Sequence, residues 1–261
     1  MTVSYRCDAG IAVLTLDDVP KRNALSRRMV QRLNDCLDRA QREGARAIVI
    51  SANGPSFCAG ANIDDLRTGW MEGGDPDTDP LQFFKRLAEH PRITVAAVQG
   101  IAAGGGLEMT LACDLVVAGP AAGFIAPELG HGVIPPLGLA LLPSIVGRHR
   151  AMDMILSRRK VSAKEACAIG LATHSAEDEK VEPAAIELAR SIVHAIPPGA
   201  LSVAKRQIAR YQELDWGTIL NSPREVPAAE WREGLNAFVE KRKADYTPFW
   251  EIADKSQNSI D

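Results

Sequence analysis

The chain has 261 residues, 46% of them apolar, with 30 basic against 33 acidic side chains and a formal net charge of −3. That length suits one large domain, or a domain with an appendage, around a sizeable core. The near-balance of charge excludes a nucleic-acid footprint and a strongly acidic tail. Cys7, Cys36, Cys58, Cys113 and Cys167 are odd in number and lack C-x-x-C spacing, the pattern of free thiols in a reducing compartment. The first residues carry no signal- or transit-peptide pattern, and no apolar run approaches the about 20 residues of a membrane span. The expectation is a soluble, cytoplasmic chain with neither nucleic acid nor membrane as partner.

In chain order, Ile11 to Leu16 alternates like a strand. Ser26 then caps a predicted helix in which Val30, Leu33, Leu37 and Ala40 form one stripe before Gly44 ends it. A strand, Ala47 to Ile50, leads into the loop Ala52 to Ile63, where small residues around Gly60 and Ala61 can offer a backbone N–H to a ligand. Gly69 to Pro80 is acidic and rich in glycine and proline, and predicts a loop. Trp70 and Met71 within it read either as lining of a binding site or as the anchor of an ordinary surface loop.

The most informative segment follows. Thr94 to Val98 reads as a buried strand, and Gly104-Gly105-Gly106-Leu107-Glu108 then opens a helix that is apolar on nearly every side except at Glu108. Glycines at a helix start leave N–H groups bare, and with the helix dipole those groups favour negative charge. Paired with the donor near Ala61, they form an oxyanion hole in which each donor is worth roughly 2.7–4 kcal/mol toward a developing enolate. Phe124 to Gly130 adds a second carboxylate, Glu128, in an apolar setting. Read alone, Glu108 is also a first-turn carboxylate gaining from the dipole, and Glu128 a loop carboxylate bonded to nearby backbone.

Beyond this point Ser162 and Glu165 form a capping-box signature, closed by Gly170. Pro183 to Ala195, Leu201 to Leu214 and Glu230 to Lys243 predict successive helices, with a soft boundary near Pro197 that divides the chain into 1–196 and 197–261.

These residues resemble the crotonase family, the enoyl-CoA hydratase/isomerase superfamily, over nearly the whole chain. The resemblance rests on an ordered set: Lys21-Arg22-Asn23-Ala24-Leu25-Ser26, Ser56-Phe57-Cys58-Ala59-Gly60-Ala61, Val98-Gln99-Gly100 leading to Gly104–Glu108, Ala112-Cys113-Asp114, Pro127-Glu128, and Glu233-Gly234 to Phe238. It implies an α/β spiral of β-β-α turns carrying the acyl-CoA site, followed by a C-terminal helical region that serves as lid and oligomer contact in a homotrimer or a hexamer. It implies Ala61 and Gly105 as oxyanion donors, and Glu108 and Glu128 as catalytic residues. CoA would be held near Asn23, Ala24, Leu25, Ala59 and Ile63, with Phe238 and Lys241 arriving from a neighbouring subunit and Lys21 or Arg22 offsetting phosphate charge. No metal and no separate cofactor is implied, since CoA enters as part of the thioester.

The chain departs from the pattern at Val133-Ile134-Pro135-Pro136-Leu137, which is apolar where many hydratases are glycine-rich and polar; Pro136 also removes an N–H. Asn62 stands where an Asp is common, and both residues cap helices. His131, three residues after Glu128, reads as a donor to the site or as a structural histidine. Cys58 has no identifiable histidine partner and reads as a small buried filler. There is no H-E-x-x-H, no G-x-S-x-G, no Walker sequence and no G-x-G-x-x-G. The leading expectation is a hydro-lyase that adds water to a 2-enoyl-CoA to give a 3-hydroxyacyl-CoA. The alternatives are double-bond isomerisation or another reaction of the same enolate, and a non-catalytic acyl-CoA-binding protein.

Overall fold

The computed structural model describes residues 2–68, 75–177, 180–212 and 214–250. Two strands open the chain, β1 (Val3–Asp8) and β2 (Ile11–Leu16), joined through Ala9 and Gly10, both at positive φ. Such a tight turn matches the twist of an antiparallel pair. Helix α1 (Arg27–Arg42) follows, its first turn held by Ser26 Oγ, which accepts from the Met29 N–H at 3.2 Å.

Next come β3 (Ala47–Ala52), β4 (Ser56–Cys58), the short α2 (Ile63–Arg67) and α3 (Pro80–Ala88). The pattern repeats with β5 (Ile93–Val98), β6 (Ile101–Ala103) and α4 (Gly105–Ala112). It repeats again with β7 (Leu115–Ala118), β8 (Gly123–Ile125), α5 (Pro136–Val146) and α6 (Arg148–Ser157). From β3 to β8 each turn gives its first strand to one sheet and its second to another, whereas β1 and β2 share one sheet. The six-stranded sheet runs β1-β2-β3-β5-β7-β10 and the four-stranded sheet β4-β6-β8-β9, with β9 (Val161–Ser162) and β10 (His174–Ser175) closing them around α7 (Ala163–Ile169). Pairing from β2 through β10 in the larger sheet is parallel, as it is among β4, β6 and β8. This is the expected β-β-α spiral.

Strands buried on both faces read as unbroken apolar runs, and period-two alternation assigns each residue to a face. Ile11, Val13, Val49, Val95 and Val117 pack beneath α8 (Val181–Ala195) through Val181, Ala185 and Ala189. Leu14, Leu16, Ile48, Ile50 and Val98 face the main core with α1, α3, α4 and the smaller sheet.

After α8 come α9 (Pro198–Gln212), α10 (Trp216–Asn221) and α11 (Ala228–Val239). Proline suits the first helical turn, so α9 starts three residues before the expected Leu201. Helix α11 stops before the expected Lys243; Lys241 sits at φ 55. The short α10 was not anticipated. These helices pack onto the spiral of their own chain: Trp216 and Leu220 against the main core, and Trp231 and Leu235 around Val133 with Ile63 and Leu66.

Candidate active site

Parallel pairing of β4, β6 and β8 brings their C-terminal ends side by side, so the loops that leave them meet. After β4, a parallel bridge joins Leu25 to Ala61: the Leu25 N–H donates to Gly60 O at 2.7 Å and the Asn62 N–H to Leu25 O at 2.6 Å. Those two bonds use the groups on either side of Ala61 and leave its own amide turned away from the bridge. Asn62 then caps α2, its Oδ1 accepting from Asp64 and Asp65.

After β6, Gly104 takes φ 54 and ψ −125, a conformation open to glycine alone, and its N–H is tied to Ile125 O at 2.9 Å. Gly105 begins α4, so its amide has no intrahelical acceptor. A Cβ placed on Gly105 would lie 3.7 Å from the Ala61 nitrogen, which makes the two expected donors neighbours. Gly106 is required for another reason: a Cβ there would collide with the carbonyl of Cys58, so α4 rests directly on β4.

Glu108, one turn into α4, is only 5% exposed. Its Oε1 accepts from the N–H groups of Leu137 at 2.8 Å and Gly138 at 3.2 Å, at the start of α5. Burial pushes its pKa up to about 7, while the Gly138 and Leu137 amides oppose the rise. Pro136, at the first position of α5, costs this carboxylate nothing, because the two following amides supply the bonds.

Glu128 opens the 3-10 turn Glu128–His131 after β8 and is 9% exposed. Neither of its oxygens receives a hydrogen bond from another described residue. Burial first, and then the charge of Glu108, push it up to about 8; only its own backbone N–H opposes this. A Cβ on Gly104 would come within 3.0 Å of Glu128 Oε1, so this carboxylate lies against the glycine turn. The pair therefore shares one environment with unequal support: Glu108 is stabilised as an anion, and Glu128 is kept protonated for longer.

Both glutamates line a cavity of about 410 Å³ together with Ala24, Leu25, Ala59, Ala61, Ile63 and Gly105. Phe238, expected from a neighbouring subunit, lines the cavity of its own chain, and Lys21 and Arg22 are also in the wall. Asn23 and Lys241 are not. Asn23 is buried at φ 55 and works as a brace: its Nδ2 donates to Asn53 O and Ser56 O, each at 2.9 Å, and its Oδ1 accepts from the Asp18 N–H. Lys241 is exposed just beyond α11. Trp70 and Met71 lie outside the described residues.

His131 lines the cavity, its ring edge-on to Phe238 at 5.2 Å, and burial and then Arg158 hold its pKa below the usual histidine value. Cys58 is wholly buried, and burial pushes its thiol up to about 12, which removes it as a nucleophile. Sequence reasoning missed Leu81, Phe84, Leu220, Arg224 and Leu235 as wall residues. The apolar pair Leu81 and Phe84, three apart on α3, was a usable signal; the others come from distant helices and offered none.

The model of the family described as Enoyl-CoA hydratase/isomerase matches residues 6–248. A probable enoyl-CoA hydratase of Bacillus subtilis is 34% identical over 256 residues, covering 94% of this chain and 98% of its own. A 1,2-epoxyphenylacetyl-CoA isomerase of Escherichia coli is 31% identical over 255 residues, covering 92% of this chain and 96% of its own. The crystal structure of an enoyl-CoA hydratase/isomerase from Pseudoalteromonas atlantica superposes with a TM-score of 0.85 at 30% identity, over 95% of this chain and all of that one. With the strand-end donors and the buried glutamates, these matches make the chain a member of the enoyl-CoA hydratase/isomerase family.

Proposed function

We propose that the protein hydrates a 2-enoyl-CoA to a 3-hydroxyacyl-CoA. The observation that carries this reading is the pair of buried glutamates, unequally supported, in one cavity with two free-facing amides. The thioester oxygen accepts from the N–H groups of Ala61 and Gly105, which draws electrons from the β-carbon and stabilises the enolate. Glu108, the better-supported anion, takes a proton from water as the water oxygen bonds to the β-carbon. Glu128, protonated, gives its proton to the α-carbon as the enolate collapses. One water is consumed, and exchange of a proton between the carboxyls and solvent restores the starting state.

The test follows the unsaturated thioester absorbance of crotonyl-CoA and of longer, branched and cyclic enoyl-CoAs in oxygen-labelled water, with wild type and Glu108→Gln. Loss of absorbance with label in the product, abolished by the substitution, supports hydration. Turnover without label moves the assignment to double-bond isomerisation, which needs one carboxylate and no water. Tight binding of the esters without turnover leaves a binding protein.

A homotrimer or a dimer of trimers is proposed with this activity. Leu156 on α6 and Ile208 on α9, at 59% and 63% exposure, support it as apolar surface of the kind subunit contacts cover. Light scattering giving a monomer mass would reject it.

A further inference from the structure

We propose that the acyl group this cavity accepts carries a carboxylate and that Arg224 receives it, an inference that rests on the acyl-CoA reading above. The wall holds three permanent cations on two separate elements. Lys21 and Arg22 belong to the segment after β2, where the Ala59 N–H donates to Arg22 O at 3.0 Å; this is the side assigned to CoA. Arg224 lies on the 3-10 turn Ser222–Glu225 that follows α10.

The path between the two is marked at Gly105. A Cβ there would touch Leu25 Cδ1 at 3.0 Å and Phe84 Cζ at 3.6 Å, so the amide that holds the thioester oxygen has the CoA side at Leu25 and helix α3 at Phe84. Leu81 on α3 lines the same cavity as Leu220, Pro223 and Arg224, and α10 packs against both α3 and α5, so an acyl chain running along α3 has this wall beside it.

Arg224 is poorly matched to a plain hydrocarbon. Its Nη1 donates to Asn221 Oδ1 at 3.0 Å, and no carboxylate among the described residues lies within the 4.0 Å of an ion pair. Asp79, which lines the cavity with the two glutamates, is engaged elsewhere: its Oδ1 accepts from the Leu81 N–H at 2.8 Å as the cap of α3. Burial is the largest influence on Asp79 and Arg224 the last. A guanidinium has five N–H donors in a planar fork that fits a carboxylate two-to-two. Arg224 is exposed in the free chain, so an alkyl terminus would strip water from it without replacing a bond. A terminal carboxylate replaces those bonds, and the apolar stretch between Phe84 and Leu220 accommodates the methylenes.

The test is calorimetric binding of succinyl-, glutaryl- and adipoyl-CoA beside butyryl-, pentanoyl- and hexanoyl-CoA to wild type, Arg224→Leu and Arg224→Lys. In wild type the best carboxylated ester should bind about tenfold or more tightly than its uncharged counterpart. That ratio should fall toward one in Arg224→Leu and recover in part in Arg224→Lys. Equal or tighter binding of the uncharged esters by wild type overturns the proposal, and this comparison needs no variant to fold. Equal weakening of both series and of free CoA in Arg224→Leu also overturns it, since Arg224 would then serve a CoA phosphate. Absence of turnover on every unsaturated ester, with the binding ratio intact, defeats the hydratase reading and leaves this one standing.

Discussion

The strand ends and the helical wall that enclose one cavity work in different ways. At the ends of β4 and β6 the contributing groups are backbone amides, of Ala61 and Gly105, and their positions depend on how closely α4 approaches β4 over Gly106. Across the cavity, Leu220, Arg224, Leu235 and Phe238 contribute by what their side chains are. An amide donor is the same in every residue but proline, so substitution there acts only by displacement. A wall residue can change the cavity's shape or charge and leave both donors where they are. On the proposed reading, the difference separates polarisation of the thioester, which rests on backbone packing, from the choice of acyl group, which rests on side chains of α3 and the late helices.

Four experiments break or sharpen that separation. Glu108→Gln keeps an acceptor for the α5 amides but removes the base, and kcat on the best substrate should fall by about 10²–10⁴-fold with unchanged circular dichroism; a loss smaller than about tenfold would end its assignment as base. Gly106→Val, which drives a side chain against the Cys58 carbonyl, should lower stability by about 1–3 kcal/mol through overpacking and depress kcat as α4 lifts from β4. Urea denaturation reads the first effect, and wild-type stability would break the link between packing and donors.

The third experiment uses pH. If Glu108 must be ionised and Glu128 protonated, kcat/KM should fall below about pH 7 and above about pH 8, following the raised values of the two groups. Stability carries its own sign. A carboxyl whose folded pKa is raised contributes fully below its unfolded value, and that contribution is lost as pH rises through the folded value. Glu128→Gln should therefore gain on wild type by up to about 1.4 kcal/mol per pH unit between the ordinary carboxylate range and about pH 8, with no further gain above it. A gap that stays flat across this range would mean that Glu128 is not held protonated by the fold. The smallest effect belongs to the wall. Phe238→Ala should raise KM several-fold, for about 1 kcal/mol of lost contact, with kcat changed less; a kcat loss matching that of Glu108→Gln would show that wall and strand ends do not act separately.

What could be read from the sequence follows the same division. Local signals carried over: the strand at Ile11–Leu16, the Ser26 and Asn62 caps, and the glycine turn before Glu108 are each specified by residues within a few positions of one another. Ser162 caps α7 as its spacing suggests, accepting from the Glu165 N–H at 3.3 Å, but the Glu165 carboxylate turns to Arg159 instead of completing the box. The resemblance places Asn23 beside CoA; the structure adds that its side chain turns inward at a positive φ and braces the loop, a fact of backbone that composition does not carry. Arg224 and Leu235 reach the cavity only through the packing of α10 and α11 on α3, α5 and the turn at Glu128. No periodicity encodes such contacts.

Helix α5 has no side-chain cap from the residue before it, Pro135. Its first free amides are closed instead by Glu108, which stands 29 positions earlier in the chain. The proposed base is thus also the stop that seats another helix, and each proton it takes up weakens that seat while each proton it releases restores it. The chemistry and the start of α5 both use the anion, while burial opposes it by pushing Glu108 up to about 7; the two amides it faces explain how an apolar, proline-led helix can start beside it without a polar residue of its own.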